Sequence, residues 1–464
     1  MIRTKELNLK NGSRIVVIGG GPAGAFFSIF ASKLAQYLGR KLDITIYEKK
    51  IFDNQGALGC NMYAGVISES LVQSLALEDI NLPSSVVQSC VDSYYFHTQN
   101  GNIKIKSSRI QQRGIATIFR GGGPKGNAGK DIQSFDEFLL HKAVEHGAKV
   151  EHIFIDKINL NDDKPVIYAG ERLQNDCDLL VGASGVKVNS GKIYEKLGIG
   201  YKIPSTIRAT QSEIELGMDW ITNKFGNSIH IFLLRIPGVK FLSVIPKGRF
   251  ITVSLLGNEP NVEYIKMFLA HPVMKQMLPQ EFKIPDKFCH CFPKINIKGA
   301  KNPFADRLVL VGDASSVRLY KDGIGSAYIT SKAAAHTAIL YGIGKQNFEK
   351  HYLPVCKNLD ADNLFGKLLF SVNDFVSYTA LLSKGYFKTI QQEQADLRKT
   401  THHSDILWDM FTGSRFYKEI FLRTLNPRYI LNLLFNITST SLLDMLSIQP
   451  KKRKGIPYVR KSLP

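Results

Sequence analysis

Three glycines, Gly19, Gly21 and Gly24, follow the apolar run 15–18 at the spacing G-x-G-x-x-G, with Pro22 and Ala23 between the last two. At that spacing the first glycine allows a tight turn from strand to helix. The second lets backbone approach a diphosphate, and the third lets the helix pack closely on its strand. Glu48, followed by Lys49, ends the next apolar run, where a carboxylate can accept hydrogen bonds from a ribose hydroxyl. A second constellation lies far downstream. Gly312 and Asp313 follow the apolar run 308–311, and Gly323, Ile324 and Gly325 come just before a stretch rich in small residues. Asp313 is placed to bond a ribose or ribityl hydroxyl, and the start of the following helix to stabilise negative charge. Together these residues point to a bound dinucleotide.

The elements that would hold these residues are legible in outline. Strand 15–18, helix 22–38 and a strand ending at Glu48 form one βαβ unit, with residues 177–185 and 308–311 returning as further strands. The stretch 51–70 is rich in glycine and small residues and reads as a loop, with Cys60 between Gly59 and Asn61. Residues 68–77 and 135–146 read as helices, 149–155 and 165–168 as strands. Residues 86–108 read as a hairpin turning at Asn100-Gly101. Four β-like runs between 206 and 256 suggest an antiparallel sheet with one solvent-facing side, before a polar helical stretch at 261–276. A helix over roughly 326–338 follows Gly323 and Gly325. Residues 121–130, GGGPKGNAGK, lack the ending of a phosphate loop and read as a flexible surface insertion. Helical periodicity returns over 359–378, 406–422 and 427–446. The expected organisation is a discontinuous dinucleotide-binding domain (12–80, 110–190 and 300–350), a substrate-binding antiparallel sheet domain (81–109 and 200–299), a C-terminal helical region (351–450) and a basic tail (451–464).

Composition narrows the partners. The 464 residues carry a formal net charge of +20, with 44% hydrophobic content and six cysteines in no repeating pair spacing. Neither a disulfide framework nor a metal site is expected, and Cys289 and Cys291 read as sheet positions. Residues 1–14 do not resemble a secretory signal, and no apolar run is long enough to span a bilayer. Without a nucleic-acid-binding motif, the charge points to an anionic membrane surface or an acidic electron-transfer protein. The apolar segment 427–446 followed by Lys451, Lys452, Arg453 and Lys454 fits a helix lying on an anionic bilayer. The expected location is cytoplasmic and peripherally membrane-associated.

With GGGPAG, Glu48, residues 58–65 (LGCNMYAG), Arg120, VGASG and the pair GDASS/GIGSA in view, the chain resembles the FAD-dependent geranylgeranyl reductases over about residues 12–440. These share a p-hydroxybenzoate-hydroxylase-like flavoprotein fold, which implies a Rossmann-like α/β domain beside an antiparallel sheet domain. The resemblance implies FAD held by the residues named above, with Arg120 approaching it from before the helix 135–146. It also implies that Cys60 and Tyr63 face the flavin. Residues 241–248 resemble the aromatic strand that lines the substrate cavity, which makes Phe241, Ser243, Ile245 and Pro246 candidate substrate contacts. Ser184 stands where an acid is usual, Tyr320 where a proline is usual, and Ser243 and Ile245 where Trp and Phe are usual.

The chemistry so implied is reduction of carbon–carbon double bonds in an isoprenoid or related lipid, with Cys60, Tyr63 or a bound water as proton donor and Cys60 the favoured one. NAD(P)H, binding without a nucleotide domain of its own, or a ferredoxin-like carrier would supply electrons. An FAD-dependent monooxygenase acting on an aromatic or lipid is the alternative, and a non-catalytic membrane-associated flavoprotein is a third reading.

Overall fold

The computed structural model describes residues 7–446 apart from 63, 100, 107–113, 126–131, 161–163, 187, 235, 237, 258–259, 287, 321 and 396–401. Six strands form the first sheet, in the order Phe304–Ala305, Leu308–Leu310, Leu179–Gly182, Arg14–Ile18, Asp43–Tyr47 and Lys149–Glu151. All are parallel to their neighbours except the antiparallel edge Phe304–Ala305. A parallel sheet is buried on both faces, which is why the central runs are uninterruptedly apolar. Ile15 and Val17 face one core with Phe26, Phe27 and Leu139 of the helices Pro22–Tyr37 and Phe135–Glu145. Val16 and Ile18 face the other core with Ile158 and Ile167, which belong to a small antiparallel sheet over 157–176. The helix Gly323–His336 packs on Pro22–Tyr37, where the Gly312 Cα lies so close to Ala23 that an added Cβ would sit 2.6 Å from the alanine methyl.

The second sheet has eight strands. It runs from His290–Cys291 through Ser205–Glu215, Phe250–Gly257, Val239–Lys247, Ser228–Leu233 and Ser93–Thr98 to Gly101–Lys106, with Lys294–Lys298 paired to the start of Ser205–Glu215. The four runs between 206 and 256 pair antiparallel along the sheet as expected, and Ser228–Leu233 additionally joins Ser93–Thr98 in parallel. One expectation is corrected here: in the central strands neither face is left to solvent. Leu242 and Val244 pack into a core with Phe268 and Leu269 of the helix Val262–Ala270, whereas Ile245 belongs to a core with Trp408 and Phe411 of the C-terminal helices. Alternation along a strand sends successive side chains to opposite faces, and both faces here are covered.

Other corrections are local. The expected hairpin over 86–108 starts at Ser93, because Val87–Val91 joins a separate three-stranded sheet with Val66–Ile67 and Ile115–Ile118. Asn100 of the expected turn lies outside the described residues. The helical stretch 261–276 breaks into Val262–Ala270 and Pro272–Lys275 at His271, whose extended backbone (ψ 137°) is what a following proline favours. Residues 121–124 are no surface insertion: Gly122 is buried, and an added Cβ would meet the Asp53 carbonyl oxygen at 2.0 Å. The remainder of that insertion, 126–130, lies outside the described residues. Five helices close the described chain, Leu353–Tyr378, Ala380–Ala395, His402–Thr412, Tyr417–Thr424 and Pro427–Leu446. The second was not foreseen. Gly385 lets it approach Pro427–Leu446 closely, since a Cβ there would lie 2.7 Å from the Ile437 Cα. Among the described residues, no helix is long and apolar enough to cross a membrane. The basic cluster 451–454 lies outside them.

Candidate functional site

One cavity of about 700 Å³ runs from the first glycine turn to the apolar face of the eight-stranded sheet. At the glycine end, Gly19 has φ +106°, a backbone that L side chains rarely adopt, and its Cβ would sit 2.5 Å from the Ala183 carbonyl oxygen. Gly24 is tighter still, with its Cβ 1.9 Å from the Gly19 carbonyl oxygen, so it serves the turn and not the ligand directly. Gly21 faces the cavity beside Pro22 and Ala23, and a side chain there would meet Asn61 at 3.1 Å. Gly21 is also the N-cap of the helix Pro22–Tyr37 and provides no side-chain partner for its first-turn N–H groups. Those donors and the helix dipole are suited to a diphosphate.

Glu48 and Lys49 line the cavity beside this turn. The Gly20 N–H donates to one oxygen of the Glu48 carboxylate and the Lys50 N–H to the other, each at 2.9 Å. A carboxylate offers about four acceptor sites, so lone pairs remain for sugar hydroxyls. Arg120 also lines the cavity, buried and forked onto Asp136, whose Oδ1 further accepts from Asn61 Nδ2 at 2.7 Å. Neither Asn61 nor Asp136 was singled out from sequence, since an isolated Asn or Asp in a loop or first helical turn carries no recognisable pattern.

The second glycine cluster is arranged differently from expectation. The helix begins at Gly323, so Gly323, Ile324 and Gly325 form its first turn instead of preceding it. Asp322 is its N-cap and accepts from the Gly325 N–H at 3.1 Å. A side chain at Gly325 would collide with that carboxylate at 2.3 Å, which explains the glycine. Burial pushes the Asp322 carboxyl up to about 6 against the pull of the neighbouring Arg318. Asp313, Asp322, Gly323 and Ile324 line the cavity, whereas Gly312 and Gly325 serve packing. Asp322 had a readable signal, an Asp directly before a helix start. Asn296 had none. It is 3% exposed, donates to the Asp313 carbonyl at 2.8 Å, and leaves its Oδ1 buried, unpartnered and on the cavity wall.

At the sheet end, Phe241, Ser243 and Ile245 alternate onto the cavity face with Ile229, Ile231 and Leu256 nearby. Pro246 does not line the cavity: it occupies the other face of its strand, and its carbonyl accepts from the Thr117 hydroxyl at 2.9 Å. Tyr320, where a proline was expected, lines the cavity with φ +62°. Tyr63 lies outside the described residues. Cys60 is not a lining residue either, although Asn61 and Met62 are. Its N–H is held by the Gly56 carbonyl at 2.9 Å, and the Asn61 N–H by the Arg120 carbonyl at 3.0 Å, which fixes this segment of the loop.

No family model matches the chain, and no curated protein matches it in sequence. Solved structures do match in shape. A geranylgeranyl bacteriochlorophyll reductase-like protein from Thermoplasma acidophilum has a TM-score of 0.62 at 16% identity, over 94% of this chain and 100% of that one. The halogenase PltM in complex with phloroglucinol and FAD has a TM-score of 0.56 at 14% identity, over 94% and 93%. p-Nitrophenol 4-monooxygenase PnpA from Pseudomonas putida DLL-E4 has a TM-score of 0.57 at 12% identity, over 87% and 98%. The chain thus has the Rossmann-like α/β fold with an antiparallel sheet region that characterises flavoproteins of the p-hydroxybenzoate hydroxylase and geranylgeranyl reductase type.

Proposed function

We propose that this chain is an FAD-dependent oxidoreductase acting on an apolar, lipid-like substrate. The observation that carries the reading is the single cavity joining a diphosphate-ready turn to an aliphatic and aromatic sheet face. The residues present fit FAD. Gly21 leaves a space that a Cβ would fill, Glu48 retains acceptor capacity, and Asn296 Oδ1 is a buried acceptor still lacking a donor. Bound there, FAD would supply two-electron transfer to or from the substrate. The helix Pro22–Tyr37 and Glu48 would hold its dinucleotide end, with Arg120 kept in place by Asp136. The first turn of Gly323–His336, capped at the Gly325 N–H by Asp322, would face developing negative charge with the positive end of its dipole. Phe241, Ile245 and Ile231 would exclude water and position an apolar chain.

For the reaction type, oxygen-using chemistry has the wider support, because halogenases and a monooxygenase predominate among the structures of like fold. Reduction of a carbon–carbon double bond in an isoprenoid is favoured by the reductase-like structure at TM-score 0.62. It is favoured also by the central strands of the sheet, which bring Phe241, Ile245, Ile229, Ile231 and Leu256 to the cavity with Ser243, Gln211 and Ser254 as uncharged polar neighbours, Lys294 standing on an edge strand. Electrons would come from NAD(P)H or from an acidic ferredoxin-like carrier, which the +20 charge would steer. Exposed Leu431 and Phe435 on Pro427–Leu446, with the basic segment beyond, support peripheral attachment to an anionic bilayer. The test is reconstitution with FAD, followed by incubation of dithionite-reduced protein with unsaturated isoprenoids, with and without oxygen. Saturated product under anaerobic conditions supports reduction. Product only with oxygen, carrying one of its atoms, supports the monooxygenase. A folded preparation that takes up no flavin overturns both. Sedimentation with phosphatidylserine vesicles tests attachment.

A further inference from the structure

The pairing register lines up one transverse row of side chains on the cavity face of the eight-stranded sheet. Gln211 on Ser205–Glu215 stands opposite Ser254 on Phe250–Gly257, Ser254 opposite Ser243 on Val239–Lys247, and Ser243 opposite Ile231 on Ser228–Leu233. All four line the cavity. With neighbouring strands about 4.8 Å apart, the polar part of the row, from Gln211 to Ser243, spans about 10 Å. The cavity is apolar on both sides of it. Leu256 and Phe241 lie two residues along from Ser254 and Ser243 in one direction, and Ile245 and Ile229 two residues along from Ser243 and Ile231 in the other. Lys294 reaches the cavity from a strand at the sheet edge, outside this row.

The row is polar with hydrogen-bonding capacity to spare. Gln211 and Ser243 are each 6% exposed. Gln211 Nε2 donates to Ser254 Oγ at 3.2 Å, which leaves Gln211 Oε1 as an acceptor and the Ser254 hydroxyl as a donor. Among the described residues, the Ser243 hydroxyl has no hydrogen-bond partner. Covering such groups with hydrocarbon alone strips their water and returns nothing. A hydroxyl both donates and accepts, so it can satisfy Gln211 Oε1 and a serine hydroxyl together. A carbonyl serves only the serines.

We propose that Gln211, Ser254 and Ser243 form a recognition site for one uncharged hydroxyl carried part-way along an apolar substrate, whose skeleton lies over Leu256 and Phe241 on one side and Ile245 and Ile229 on the other. This rests on the reading of the cavity as the substrate site of an FAD-dependent oxidoreductase, and it adds the substrate's functional group and where along the molecule that group stands.

The test equilibrates the full-length protein, reconstituted with FAD, with undecan-6-ol, undecan-6-one or undecane, and reads bound ligand from depletion of the headspace by gas chromatography. Transfer out of water favours the hydrocarbon, so a preference for the alcohol reports a polar contact. Undecan-6-ol should bind at least about tenfold more tightly than undecane, with the ketone between them. Ser243→Ala and Gln211→Leu should each shrink that preference while leaving undecane binding intact. Because the wild-type preference is itself decisive, poor folding of a variant does not spoil the test. Undecane binding as tightly as the alcohol, a ketone equal to the alcohol, or decanoate preferred to all three overturns the assignment while flavin uptake leaves the oxidoreductase reading standing. If no flavin is taken up, that reading falls, and the same titration of the flavin-free protein still decides the row.

Discussion

Arg120 and Asp136 meet as a buried two-pronged ion pair, Nη2 donating to Oδ1 at 2.9 Å and Nε to Oδ2. Arg120 is 6% exposed and Asp136 is fully buried, so neither charge can turn to water. Asp136→Ala should lower the free energy of unfolding by about 3–5 kcal/mol, the usual cost of stranding one member of a buried pair. Urea unfolding measures it. Because Asp136 also holds Asn61, bound flavin should be lost on gel filtration, and a variant of wild-type midpoint would remove this pair from the framework of the site.

Two glycines of the same motif should respond differently to alanine. Gly24→Ala places a methyl 1.9 Å from a backbone oxygen and should disrupt the turn, giving insoluble protein or a sharply lowered Tm. At Gly21 the obstacle is the Asn61 side-chain amide at 3.1 Å, which can give way. Gly21→Ala should therefore fold with a Tm near wild type while binding FAD at least tenfold more weakly by fluorescence titration. Equal effects at the two sites would contradict the division between turn and ligand roles.

The cavity end of the sheet offers a steric test. Ser243 lies between Phe241 and Ile245 on the lining face. Ser243→Phe should leave flavin absorbance unchanged and reduce kcat/KM for a long apolar substrate at least tenfold, with little loss for a short one. Unaltered discrimination between chain lengths would put the substrate elsewhere.

Acid should destabilise the eight-stranded sheet as pH falls below about 6.5. His97 Nε2 and His230 Nδ1 lie 2.9 Å apart in the core, and His230 Nε2 is 3.0 Å from the Phe225 carbonyl, so the latter ring donates through Nε2. Burial lowers His97 to about 3 and His230 to about 4. The unfolded chain takes up these protons below about 6.5, the folded one only near 4, so stability is present above 6.5 and lost as pH falls from there towards 4. Unfolding free energy should rise with pH across that window. His97→Phe, stacked on Phe232 as the histidine is, should flatten the rise, and an identical slope would show that this pair does not titrate on unfolding.

Cys60 should react with iodoacetamide along a pH profile with its midpoint at about 6, well below an ordinary thiol. Since the bond from Cys291 is the leading cause, Cys291→Ala should move that midpoint upward. Peptide-resolved alkylation kinetics read both, and a midpoint near 9 in wild type would show that this sulfur is not activated.

Much of the dinucleotide unit was legible because its demands are local. A strand buried on both faces, a turn with no room for Cβ atoms and a terminal acid all leave marks within the first 48 residues. The rest of the site depends on contacts distant in sequence. Asn296 reaches the wall because Lys294–Lys298 pairs with Ser205–Glu215, and no local pattern encodes that pairing. The burial of Gly121 and Gly122 likewise follows from a loop about sixty residues earlier folding over them. Cys60 was assigned by likeness of motif, which fixes the neighbourhood of a residue but not the direction of its side chain. Ile245 and Pro246 illustrate the same limit, as adjacent residues on opposite faces of one strand.

The central sheet pairs Leu179–Gly182 with Leu308–Leu310, and this has a bearing on how the chain is made. A ribosome must extend past residue 310 before the partner strand exists, and until then Leu179–Gly182 presents bare N–H and C=O groups along one side. Nascent chains halted before that point should recruit chaperones and resist release as soluble protein, whereas chains halted after the Gly323–His336 helix should be the first to leave them.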